Sequence, residues 1–270
     1  MSKKKKLQFV RRINGDTTSY FIVNNGSDKF DGWVPVETVT KSVVLFDAMN
    51  KKNGVAKYIP QDDGSTQVYL QLSPGESVIL QAFNSPVKAN SFPYYKESSR
   101  AQEIKGSWTI EFLDGGPILP AKVNVNKLGS WTELDGDAAK NFSGTAKYSI
   151  SFEKPAGNNL NWILNLGKVN ATAEVILNGK SIATLIGPAF QTVISSSALQ
   201  QSNKLEIIVA NLMANRIAYM DKNNIPWKIF YNTNMPARRT ENSKNGLFDA
   251  SGWKPLPSGL SGPVTLTPVK

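Results

Sequence analysis

No histidine and no cysteine occur among the 270 residues. Without histidine the chain has neither the commonest general base near neutral pH nor the commonest transition-metal ligand, and no Ser-His-Asp triad can be built. Without cysteine there is no disulfide, no thiolate nucleophile and no cysteine-held zinc or iron–sulfur centre. Any catalysis would rest on carboxylates, tyrosine, lysine or arginine. Long apolar runs are also missing: none approaches the roughly 18 residues a transmembrane helix needs, so no membrane partner is expected. The opening "MSKKKKLQFVRRINGD" has the basic start of a signal peptide, but its apolar part ends at Val10, before Arg11 and Arg12, and no signal peptide is read in this chain. Sustained 3.6-residue apolar periodicity is absent as well, which predicts little helix.

What is present is ordinary for a folded protein: 40% hydrophobic and 10% aromatic residues. The formal charge of +10 suggests phosphate binding at first sight. Much of it is local, however, because Lys3 to Lys6, Arg11 and Arg12 lie at one end and the remaining cations are scattered, so no nucleic-acid partner is expected. Four consecutive lysines repel one another and bury nothing, which predicts that residues 1–6 are disordered and dispensable.

Short runs rich in β-branched and aromatic residues recur with turn residues between them. "TSYFIVNN", "KSVVLFDAMN", "TQVYLQL" and "ESVILQAF" fill the first third, punctuated by Asn24-Asn25-Gly26, Asn53-Gly54, Asp62-Asp63-Gly64 and Pro74-Gly75. Residues 7–90 read as a small antiparallel β-sandwich. The alternation lapses over the following segment, so residues 91–105 read as a linker opening a second domain, 91–270. Its rings Phe92, Tyr94 and Tyr95 are too apolar to leave in water and are expected to pack between the domains. Strands then resume; "KYSISFE" alternates cleanly, with Tyr148, Ile150 and Phe152 on one face. In "EVILNGKSI" the Asn178-Gly179 pair predicts a type I′ hairpin, since both central residues tolerate positive φ.

The order "FSGTAKYSISFEKP", "LNLGKV", Asn-Gly-Lys, "GPAFQTVI", "NKLEIIVANLMANR" over residues 142–216 resembles the jelly-roll sugar-binding domain of family 2 glycoside hydrolases, a galactose-binding-like β-sandwich. "MDKNNIPWKIFYNTNMP" and "FDASGWKPLPSGLSGPVTLTP", with "GSWTIEFLDGGP" and "SWTELD" before them, resemble the C-terminal end of large bacterial α-L-rhamnosidase-type enzymes, glycoside hydrolase family 106. The resemblance covers roughly residues 104–270 and, more loosely, the first domain. It implies an all-β protein: a small antiparallel β-sandwich followed by a galactose-binding-like jelly roll. In that family the catalytic carboxylates sit on a (β/α)₈ barrel, and no position here corresponds to one. The implied role is therefore the accessory, sugar-binding portion of a rhamnosidase-like enzyme. Its partners would be that barrel and a plant or bacterial glycan, and its place the periplasm or the cell exterior as part of a parent enzyme.

Two other readings stand beside it: an autonomous carbohydrate-binding module for pectic or rhamnose-containing glycans, and a small jelly-roll glycosidase. The last would use Glu133, which alternates with Asp135 and Asp137 in "ELDGD" and would line one strand face with carboxylates about 5 to 5.5 Å apart for a retaining reaction. Gly136 interrupts that pattern. Asp135 and Asp137, or Asp62 and Asp63 beside Gly64, are the candidates for a structural calcium, which takes six to eight oxygens; no other cofactor is expected. For carbohydrate contact the candidates are Trp131, Trp227 and Trp253, each beside turn or polar residues, because the apolar face of a pyranose stacks on an aromatic ring. Trp108 and Trp162 read as core. Asn215, Arg216, Tyr219 and Asp221 follow a strand end and could grip a sugar diol through charge-assisted bonds, or tie down the segment that follows.

Overall fold

The structure, a computed structural model, describes residues 7–156, 161–228 and 240–270. The expectation for the lysine run at residues 3–6 lies outside the described residues, as does part of the tail motif at 220–236. Strands dominate: helix among the described residues is confined to two α-helices and three 3-10 segments. Two compact units divide the chain, the first running to Ser98 and the second from Ser99, with residues 186–189 and 270 grouped with the first. No described helix is long and apolar enough to cross a membrane.

The first unit holds β1 (Leu7–Asn14), β2 (Thr17–Asn24), β3 (Phe30–Val36), β4 (Ser42–Asp47), β5 (Lys52–Val55), β6 (Tyr58–Pro60), β7 (Thr66–Leu72) and β8 (Ser77–Phe83). A five-stranded sheet, β1-β2-β8-β4-β5, and a three-stranded sheet, β3-β7-β6, are antiparallel at every pairing. Period-two alternation sets their faces. In β7, Thr66, Val68, Leu70 and Leu72 are buried while Gln67, Tyr69 and Gln71 are not. Tyr20, Ile22, Leu45 and Leu80 from one sheet meet Val34, Val68 and Leu70 from the other in one core, each aliphatic side chain contributing about 1.5–3 kcal/mol by leaving water.

Residues 90–92 extend this unit, because the Val55 N–H donates to Asn90 O at 2.8 Å and the Phe92 N–H donates to Val55 O at 2.8 Å. Phe92 and Tyr94 then pack against the first core. The first unit therefore runs past the expected boundary at residue 90, to Ser98. Both rings belong to the first sandwich, whose backbone captures the segment before it can act as a linker.

The second unit contains β9 (Gln102–Glu103), β10 (Trp108–Gly116), β11 (Val123–Val125), α1 (Asp137–Asn141), β12 (Ser143–Glu153), β13 (Asn161–Asn165) and β14 (Lys168–Asn170). It continues with β15 (Thr172–Leu177), β16 (Lys180–Ile186), β17 (Gln191–Ser195), β18 (Ser202–Ala210) and α2 (Ala214–Lys222). The last strands are β19 (Ser243–Lys244), β20 (Leu247–Phe248), β21 (Gly259–Gly262) and β22 (Thr265–Val269). A six-stranded sheet, β11-β10-β12-β18-β15-β16, and a four-stranded sheet, β17-β13-β22-β9, supply the two faces of a larger sandwich. Its core takes Ile110, Tyr148, Val175 and Ile207 from the first sheet and Trp162, Leu164 and Leu266 from the second. Tyr148 and Ile150 point inward as the alternation of "KYSISFE" predicts, with Phe152 partly buried against the same core.

At the β15–β16 turn Asn178 has φ 51° and Gly179 φ 79°, the positive pair of a type I′ hairpin. Asn178 also fastens the turn to β18. Its Oδ1 accepts from the Lys204 N–H at 2.9 Å, and its Nδ2 donates to Asn203 Oδ1 at 3.0 Å. The hairpin is a corner of the scaffold.

Candidate functional site

After β18 the chain turns into α2, which carries four of the predicted binding residues. Asn215 is buried, with its side chain fully engaged: Nδ2 donates to Leu256 O at 2.9 Å and Oδ1 accepts from the Leu256 N–H at 2.8 Å. Arg216 lies over Gly116 at the end of β10, where a Cβ would come 3.0 Å from the guanidinium carbon. Tyr219 is half-buried, and its carbonyl caps the helix end by accepting from Asn223 Nδ2 at 2.7 Å. Asp221 is the centre of the group, its side chain only 7% exposed. Its Oδ1 accepts from Trp227 Nε1 at 2.5 Å and lies 2.9 Å from Lys228 Nζ, while its Oδ2 accepts from the Ala250 N–H at 2.8 Å.

Around that carboxylate the aromatic rings stack edge to face. Trp227 meets Phe248 at 6.2 Å and Phe248 meets Trp253 at 5.7 Å, with interplanar angles of 88° and 82°. The Lys228 ammonium sits 5.2 Å from the Trp227 ring centre, a cation–π contact. Trp253 turns its Nε1 inward to Asn242 Oδ1 at 2.8 Å. Burial pushes the Asp221 carboxyl up, but the Ala250 amide, the Trp227 indole and the Lys228 ammonium outweigh it and hold it below the usual carboxylate range. Asn215, Asp221, Trp227 and Trp253 thus join one assembly whose polar atoms bond to the protein itself. Chemically it is a clasp that fixes residues 242–256 to α2.

The remaining predicted residues go elsewhere. Trp131, expected at a loop edge, is fully buried, with its ring 5.6 Å from Phe112 and 5.7 Å from Phe142. It faces Gly259, φ 89°, where a Cβ would lie 2.7 Å from the indole. A ring with no exposed face cannot stack on a sugar, so Trp131, contrary to the sequence-based expectation, is a core residue. The strand imagined for "ELDGD" is also absent: Glu133 closes a 3-10 segment and Asp137 opens α1, so the three carboxylates do not line one face. Glu133 and Asp135 are exposed, and Asp137 pairs with Lys140 at 3.5 Å. No group of three or more metal-ligating side chains is assembled among the described residues.

A second polar–aromatic array, which sequence reasoning passes over, lies on the outer face of β3-β7-β6. Trp33 stands opposite Tyr69 and Asp31 opposite Gln71 across the β3–β7 ladder. Trp33 is 42% exposed, with its ring centre 5.3 Å from that of Tyr69. The Tyr69 hydroxyl donates to Asp31 Oδ1, and Gln71 Nε2 donates to Asp31 Oδ2 at 3.2 Å. The bond to Asp31 holds the Tyr69 phenol above its ordinary pKa. Tyr94 joins at 5.3 Å from Tyr69, and the Lys57 ammonium lies 5.8 Å and 5.1 Å from the two rings. The signal was available in "FDGWVPV". Phe30, Val34 and Val36 occupy the inward phase, so Asp31 and Trp33 fall in the outward one.

These two β-sandwiches place the chain in an all-β class. No family model matches it. A protein of Formosa agariphila named "Putative beta-glucuronidase" is 33% identical over 185 residues, which are 60% of this chain and 15% of that protein. The solved rhamnosidase of Novosphingobium sp. PP1Y aligns over 99% of this chain with a TM-score of 0.74 at 24% identity, and the chain spans 24% of it. A β-glucuronidase of Ruminococcus gnavus aligns over 62% of this chain at 20% identity with a TM-score of 0.38, too low to carry an argument. The chain spans a quarter or less of the first two proteins' length. The chain is all-β, similar in sequence to part of the Formosa protein, and the likeness to the rhamnosidase shows its fold.

Proposed function

We propose that this chain is the non-catalytic accessory portion of a rhamnosidase-like glycoside hydrolase of the family 106 kind, acting outside the cytoplasm beside a catalytic barrel. The observation that supports this most is that 99% of the chain aligns, at a TM-score of 0.74, with a stretch making up 24% of a rhamnosidase. The inward bonding of the α2 cluster agrees with it: the strongest candidate for a reactive constellation spends its carboxylate on a loop. Glu133 closes a 3-10 segment and Asp137 opens α1, so the strand that would have lined up the carboxylates of "ELDGD" for the glycosidase reading is not formed.

The test is hydrolysis by the purified chain of nitrophenyl α-L-rhamnoside and nitrophenyl β-D-glucuronide. No nitrophenol above the buffer blank is expected with either. Turnover that Glu133→Gln abolishes would replace the accessory role with the small jelly-roll glycosidase.

A further inference from the structure

The outer face of β3-β7-β6 carries more than the fold requires. Phe92 and Tyr94 already anchor the 90–95 segment to the first core, and Tyr94 is locked in place: its hydroxyl donates to Tyr69 O at 3.0 Å and accepts from the Lys57 N–H at 3.1 Å. Gln71 is equally committed, since besides Asp31 it donates to Tyr95 O at 3.0 Å and accepts from the Tyr95 N–H at 2.9 Å. Trp33, Asp31 and Lys57 are the exposed members. Trp33, at 42% exposure, keeps one side of its ring in water beside fixed polar groups, the amphipathic setting in which tryptophan recurs at ligand surfaces.

We propose that this face is a saccharide-binding platform, with Trp33 as the ring on which a pyranose stacks and the Asp31 carboxylate as the acceptor for its hydroxyls. The spacing suits that ligand. Asp31 and Trp33 are two residues apart on one strand, so they sit roughly 7 Å apart on the same face, about the reach from a stacked pyranose ring to a hydroxyl partner. A carboxylate has about four acceptor positions, and Tyr69 and Gln71 fill two of them. These bonds also fix the carboxylate before ligand arrives, which removes an ordering cost from binding. Lys57, over the rings of Tyr69 and Tyr94, places a cation at the rim, where it serves an acidic sugar as readily as a hydroxyl. Apolar area with a few placed polar groups is the general form of such sites. The platform rests on the reading of the chain as part of a glycoside hydrolase, which makes a glycan its natural ligand.

The test is calorimetric titration of the full chain with three probes: a rhamnose-containing pectic oligosaccharide, a glucuronoxylan oligosaccharide and cellohexaose. At least one is expected to bind with a dissociation constant of about 1 mM or tighter. Trp33→Ala should weaken that binding at least about tenfold and Asp31→Asn about threefold to fivefold, while Trp33→Tyr retains most of it and Trp253→Phe changes nothing. Thermal melts of the same variants show that each is folded, as expected for an exposed position. Absence of heat with all three probes at about 10 mM, or equal binding by Trp33→Ala and the native chain, overturns the platform. A chain that binds none and cleaves none loses the platform and keeps the accessory role; one that cleaves while Trp33→Ala weakens binding loses the accessory role and keeps the platform.

Discussion

Replacing Trp131 by alanine is expected to lower the unfolding free energy of the second sandwich by about 3–5 kcal/mol, the range for emptying a large aromatic site in a core. The indole is fully buried and edge-packed between Phe112 and Phe142, themselves 5.0 Å apart, so three rings lose contacts together. The site cannot collapse easily, because Ser130 beside it is tied to the far end of the chain: the Ser258 N–H donates to Ser130 Oγ at 2.9 Å and the Trp131 N–H to Ser258 O at 3.0 Å. Trp253→Ala, at a half-buried position, should cost distinctly less, about 1–2 kcal/mol. Denaturant melts of the two variants side by side measure the difference. Equal, small losses would mean that Trp131 is not a core residue.

Asp221→Ala is expected to cost about 2–4 kcal/mol, because it leaves the Ala250 N–H and the Trp227 indole N–H without their acceptor and the Lys228 ammonium without its counter-charge. The lysine is 37% exposed, so most of the loss comes from the two N–H donors. The carboxyl titrates lower when folded than the roughly 3.9 of an unfolded aspartate. Its stabilisation is therefore fully present above that unfolded value and is lost as pH falls through the folded one. Melting midpoints between pH 6 and 2 should fall less steeply in Asp221→Asn than in the native chain. A parallel fall in both proteins would show that the clasp does not depend on this charge.

Local chemistry made the all-β class and the hairpin legible. Asn178-Gly179 needs no tertiary information to form its turn, and the alternation in "KYSISFE" assigns Tyr148 and Ile150 to a face by itself. The burial of Trp131 is not legible, because its polar neighbours in "GSWTELD" are near it in sequence only, while the bonds that bury it join residues 128 apart. The domain boundary is hidden for the same reason, since a backbone bridge to Val55 attaches the segment of Phe92 and Tyr94 to the first sandwich. The α2 cluster was half legible. Its residue types were recognised, but whether Asp221 faced solvent or the Ala250 amide depended on a loop 29 residues away. Trp33 could have been found from the phase of its strand; its partners Tyr69 and Gln71 come from a different strand and could not.

Saccharide binding without cleavage can be read in one experiment, the proton spectrum of a rhamnose-containing pectic oligosaccharide followed over a day in the presence of the chain. Broadening of sugar signals that Trp33→Ala removes is expected, with the reducing-end anomeric signals constant throughout. Growth of new reducing-end signals, or sharp sugar lines identical with and without the chain, would contradict it.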